Sequence, residues 1–181
     1  MTTTDTLTHT PLRRGADDGL WFGMYLTAMF FASIFAPALP ILSVVSLLLV
    51  VCVPFVVFRS MARYRIHLAD EASFATLWIY GVVLFFFGVI LAGFVLTAYM
   101  TWVNPDYISS QLQALAALSG HDLGATIDQA ASLASSMLEA GFVPRPIDLV
   151  TELIMLAIVT GSGLSIVLSL IIMARRPSES R

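Results

Sequence analysis

The feature that most constrains the fold is an unbroken apolar run from Leu77 to Val103, preceded by Arg63-Tyr64-Arg65 and followed at once by Asn104-Pro105-Asp106-Tyr107. As a helix rising about 1.5 Å per residue it measures about 40 Å, more than the ~30 Å hydrocarbon layer of a bilayer. The basic cluster and the turn signal therefore belong on opposite sides of a membrane. Composition agrees, because 58% hydrophobic and only 12% charged residues exceed what one water-soluble core of 181 residues can hide.

Three further apolar runs take their places around this one. The first is read as a transmembrane helix from Leu20 to Ala36 rather than a signal peptide, since Asp17 and Asp18 interrupt the basic region and a second apolar run follows directly. Pro37 and Pro40 end it, because proline lacks the amide donor and biases the preceding residue away from helix. Ile41 to Phe58 forms the second span, where Val53-Pro54-Phe55 predicts a kink. Leu153 to Ala174 is the last span, with Asp148 and Glu152 in its first turns, where the helix dipole favours negative charge. Asp70, Glu71 and Ser73 suit the start of the third helix for the same reason.

Between the third and fourth spans, residues 104–146 change character. Asn104 and Pro105 predict the cap and first position of a short helix. Asp122 predicts the cap of a second helix that ends at Gly141. Both carry an apolar side and a mildly acidic side. The chain thus divides into an arm (1–19), a transmembrane hairpin (20–58), a basic linker (59–72), helix 3 (73–103), a helical excursion (104–146), helix 4 (147–174) and a tail (175–181).

Orientation follows from arginine, the only basic residue apart from histidine in a chain without lysine. Arg13, Arg14, Arg59, Arg63, Arg65, Arg175, Arg176 and Arg181 share one side, and Arg145 alone lies on the other. The positive-inside rule places both termini in the cytoplasm and the excursion outside. Trp21 and Tyr25, Trp78 and Tyr80, and Tyr99 and Trp102 fall near span ends, as interfacial aromatic belts do. The expectation is an all-α polytopic protein of the bacterial inner membrane: four transmembrane helices, with a helical extracytoplasmic hairpin between helices 3 and 4.

The basic Tyr-Arg linker, the Gly-bearing third span ending in Asn-Pro-Asp-Tyr, the helical excursion and the final span form a set. In this layout the chain resembles a family of small bacterial four-span membrane proteins catalogued as domain of unknown function 4199, over roughly residues 15 to 176. The resemblance implies no activity, cofactor or catalytic residue. It does imply an association with membrane glycosyltransferases that use lipid-linked sugars.

The chemistry legible in the chain is sparse. No ionisable residue lies at mid-depth in any span, which disfavours ion-coupled transport and an intramembrane enzyme. Cys52 is the single cysteine and reads as a packing residue. His9, His67 and His121 have no ligand spacing, so no metal and no cofactor is expected. Arg59, Arg63 and Arg65, with His67 nearby, either set topology or grip an anionic lipid head group. Gly81, Gly88 and Ala92 in the third span, and Ala157, Gly161, Ser165 and Ser169 in the fourth, form small-residue stripes. Such stripes pack helices within one chain or against a second copy or another membrane protein. The functional expectation is a non-enzymatic accessory or scaffold subunit. The alternative is a protein that holds a polyprenyl lipid or phospholipid between its helices. Membrane lipids and a membrane protein partner or homo-oligomer are the expected partners, with no role for nucleic acid.

Overall fold

A computed structural model describes residues 10–68, 72–118 and 124–174. Among these residues the chain is all-helical. The elements are α1 (Pro11–Phe35), α2 (Pro40–Leu68), α3 (Phe74–Ala98) with a π-helical turn at Tyr99–Val103, α4 (Tyr107–Ala116), α5 (Ala125–Glu139) and α6 (Pro146–Ala174). Four stretches are long and apolar enough to cross a membrane: α1, α2, α3 with its π turn, and α6.

Two helices run past the ends expected for them. α1 starts at Pro11 instead of near Leu20, so Arg13, Arg14, Asp17 and Asp18 of the expected arm are helical. Proline at the first helical position gives up an amide that has no partner there anyway. α2 continues past Phe58 to Leu68, so the expected basic linker is helical from Arg59 to Leu68. Nothing between Arg59 and Leu68 breaks a helix, because that stretch holds neither glycine nor proline. The change of residue type at Arg59 marks a change of surroundings and not of backbone. Pro54 lies inside α2 without ending it.

The chain divides into two compact units, 1–94 with 153–181, and 95–152. In the first, α1 and α2 form a hairpin whose tip is closed by backbone bonds from the Ala38 and Leu39 amides to the Phe35 carbonyl, both 3.1 Å. Near the tip the Ser33 and Ser46 hydroxyls pair at 2.6 Å. Further along, the Tyr25 hydroxyl donates to the Leu49 carbonyl, next to the Val50 carbonyl that Pro54 leaves without an amide partner. Tyr25 is thus tied inward and serves as an interhelical link more than an interfacial anchor.

The core of this unit joins Phe22 of α1, Val57, Met61 and Tyr64 of α2, Leu77, Tyr80, Leu84 and Phe85 of α3, and Leu168 and Ile172 of α6. Helix backbones approach closely because glycines line the contacts. Gly15, Gly19 and Gly23 recur every fourth residue along α1 and meet α3. A Cβ at Gly23 would stand 2.8 Å from the Gly88 carbonyl oxygen, and one at Gly19 would stand 3.0 Å from that of Leu84. In lipid, where burial of apolar surface gives helices little reason to associate, such contact supplies the dispersion attraction that holds them. Ser73 caps α3, its Oγ accepting from the Thr76 amide at 3.1 Å.

The second unit holds the π turn and the α4–α5 pair. The Asn104 amide reaches back five residues to the Tyr99 carbonyl at 2.9 Å, which defines the turn. Asn104 does not cap a helix as the sequence suggested. α4 begins at Tyr107, after a turn in which the Tyr107 amide bonds the Asn104 carbonyl at 3.1 Å. The expected cap at Asp122 lies outside the described residues, and α5 starts after Gly124. Its end matches expectation. Gly141 takes a φ of 65°, and the Gly141 and Phe142 amides bond the Leu138 and Met137 carbonyls, the paired closure of a Schellman motif. Ala131 and Ala134 are the buried side chains of α5.

Candidate functional site

The small-residue stripes are used within the chain where contacts are seen. A Cβ at Gly81 would lie 2.5 Å from Ser165 Oγ of α6. A Cβ at Gly161 would lie 2.5 Å from the Phe85 ring, and one at Gly88 2.6 Å from the Phe22 ring. Ser165 and Ser169 are fully buried. Ser165 Oγ donates to the Gly161 carbonyl at 2.8 Å, whereas Ser169 Oγ has no partner among the described residues. Ala92 and Ala157 are half-buried, and Gly163 faces open space. The stripe reading thus resolves into two separate contacts, α3 with α6 through Gly81 and Gly161, and α3 with α1 through Gly88.

The three candidate arginines do not line one cleft. Arg59 and Arg63 are one turn apart on α2 and line a cleft of about 420 Å³ between α1 and α2. Arg65 is turned away and donates to the Ile172 carbonyl in the last turn of α6. There it serves a helix end, whose final carbonyls lack amide partners. His67 is exposed.

The cleft is built from both arms of the hairpin beyond the Tyr25 link. α1 contributes Asp18, Trp21 and Phe22, which share a face by their three- and four-residue spacing. α2 contributes Phe55, Val56, Arg59, Ser60 and Arg63. Its lining therefore grades from apolar at Phe22, Phe55 and Val56 to charged at Arg63. Trp21 is 72% exposed. Neither Arg59 nor Arg63 makes an ion pair or hydrogen bond among the described residues.

Asp18, unlike the arginines, is anchored. The Tyr80 hydroxyl of α3 donates to Asp18 Oδ2. Tyr80 is fully buried, and its ring stacks on Tyr64 with centroids 4.3 Å apart and planes 9° apart. Tyr80 was expected in an interfacial belt. It belongs to the core because a partner on α1 satisfies its hydroxyl. Sequence reasoning missed the whole Asp18–Tyr80–Tyr64 arrangement by starting the first helix at Leu20 and leaving Asp17 and Asp18 in the arm. The signal that would have found it is the four-residue glycine spacing, which sets Asp18 on the same turns that dock α1 against α3.

Chemically, the site offers two guanidiniums, one carboxylate, one hydroxyl and an apolar wall. No histidine lines it, and no three His, Cys, Asp or Glu side chains converge anywhere among the described residues. The arrangement suits the grip of a phosphate ester with a lipid tail, since guanidinium forks match phosphate oxygens.

No curated protein and no solved structure matches this chain. The family comparison does match: residues 18–174, which include all four membrane-spanning stretches but for the first turns of α1, fit the model described as protein of unknown function (DUF4199). This multi-pass helical membrane protein therefore belongs to the DUF4199 family.

Proposed function

We propose that the protein is a non-enzymatic membrane protein that holds a lipid phosphate in the α1–α2 cleft. One observation carries this reading: Arg59 and Arg63 line an amphipathic cleft without a counter-ion bonded to them among the described residues. Two guanidiniums at the edge of an apolar wall leave a charge requirement that a lipid phosphate meets, with its chains along Phe55 and Val56. The arginine distribution supports an inner-membrane placement with both termini in the cytoplasm. The cleft would then face the inner leaflet.

The test is lipid retention. The full-length protein is purified in mild detergent, and bound phospholipid is counted by native mass spectrometry for the wild type and for Arg59→Gln/Arg63→Gln. Loss of tightly held phospholipid in the double variant supports the reading. Equal retention by two folded proteins removes it.

A second reading, an accessory or scaffold subunit, draws on the apolar side chains exposed in the second unit outside the spans: Ile127, Leu133, Phe142 and Val143. A stoichiometric membrane partner in a native purification supports it. Association with a lipid-linked-sugar glycosyltransferase rests on the family resemblance alone, and the recovered partner would identify it.

A further inference from the structure

Resting on the lipid-phosphate reading, we infer that the cleft selects a zwitterionic, amine-bearing phosphodiester head group, of the phosphatidylethanolamine type, with Asp18 reading the ammonium. Asp18 lines the same small cleft as Arg59 and Arg63, yet it forms no ion pair with either. Arg59 and Arg63 are exposed and Asp18 is half-buried. Here one carboxylate oxygen is held by the buried Tyr80 hydroxyl, which fixes Asp18 on α1 while the guanidiniums belong to α2. Oδ1 has no partner among the described residues.

Positive and negative groups are thus presented side by side and unpaired. A ligand that carries the complementary pair in one head group satisfies both: its phosphate takes the arginines and its ammonium takes Asp18. A purely anionic head group such as phosphatidylglycerol meets the arginines but sets its phosphate charge near the carboxylate. Phosphatidylcholine carries the same net charge as the ethanolamine lipid. Its trimethylammonium has no N–H to give, so the Asp18 oxygen would be covered and left unsatisfied. Asp18 is accordingly a specificity-determining residue, and the arginines supply affinity.

The experiment uses the full chain in mixed bicelles whose lipids share one acyl composition. They contain phosphatidylethanolamine, its N-methyl and N,N-dimethyl derivatives, phosphatidylcholine and phosphatidylglycerol, and retained lipid is quantified by mass spectrometry. Retention by the wild type is expected to fall along the methylation series, by roughly tenfold from first to last, the worth of one charge-assisted hydrogen bond. Asp18→Asn is expected to abolish that gradient while keeping phospholipid, and Asp18→Glu to preserve it. Retention of phosphatidylcholine or phosphatidylglycerol as strong as that of phosphatidylethanolamine by the wild type overturns the inference, whether or not Asp18→Asn folds. Arg59→Gln/Arg63→Gln separates the two levels. If it retains lipid like the wild type, the cleft reading itself fails. If it loses lipid while the wild type shows no methylation gradient, the cleft stands and only the head-group assignment falls.

Discussion

Substituting Gly23 by alanine adds one methyl group, and the structure says where that methyl goes. Its Cβ would stand 2.8 Å from the Gly88 carbonyl oxygen and 2.9 Å from Leu91 Cβ. A backbone oxygen cannot swing aside as a side-chain end can, so α1 and α3 must separate locally. Overpacking of this kind costs about 1–3 kcal/mol. Against it stands the gain from removing a glycine inside a helix, about 0.5–1 kcal/mol. The net expectation for Gly23→Ala is a destabilisation of about 1 kcal/mol, within a range of about 0–2.5 kcal/mol. Gly163→Ala is the internal control, because a Cβ there meets nothing within 4 Å and only the helix gain remains. The assay is reversible unfolding of the purified protein in mixed micelles by rising sodium dodecyl sulfate, followed by circular dichroism and tryptophan fluorescence. Gly23→Ala should unfold at a lower detergent fraction than wild type, and Gly163→Ala at an equal or higher one. If both variants shift together, backbone contact between α1 and α3 is not what glycine provides at position 23.

Gly161→Leu drives a side chain into the Phe85 ring and is expected to lower stability while leaving the oligomeric mass unchanged, as multi-angle light scattering would report. A changed mass would mean that the Gly161 face meets another chain. Arg65→Gln removes the charged donor to the Ile172 carbonyl and is expected to cost about 1–2 kcal/mol in the same unfolding assay. Its phospholipid retention should match wild type, because Arg65 does not line the cleft; loss of lipid would put Arg65 back with Arg59 and Arg63.

The spans were legible because their signal is the crude one of length and hydropathy, which the bilayer enforces on every residue facing it. Helix ends were less so. Gly15-Ala16-Asp17-Asp18-Gly19 has the composition of a loop, yet it is helical, because glycine's weak helical preference is outweighed by the close approach it permits to Val83, Leu84 and Phe87. Asn104 failed as a cap for a different reason: a turn through Pro105 and Asp106 follows it, and α4 starts only at Tyr107. The arginine group was visible as charge, but its division was not. Arg63 and Arg65 are two residues apart and so point to different sides of α2, one to the α1 cleft and one to α6. Which side holds a cleft depends on where neighbouring helices lie, information carried by Tyr80 and the α1 glycines and not by the basic residues themselves.

The glycine face of α1 also has a meaning for how the protein is made. α1 carries glycines at 15, 19 and 23 and two aspartates, and it is the least apolar of the four membrane-spanning stretches: its 18-residue apolar window has a mean hydropathy of 1.3, against 3.0 for that of α2. Its packing partner, α3, is synthesised only after α2 is complete. Until then the glycine face has nothing to dock on, and the available interhelical bonds are those made with α2, the Ser33–Ser46 pair and the Tyr25–Leu49 link. Those two bonds are within reach as soon as the hairpin exists. They allow a weakly apolar helix to enter the bilayer alongside a strongly apolar one and wait there for α3.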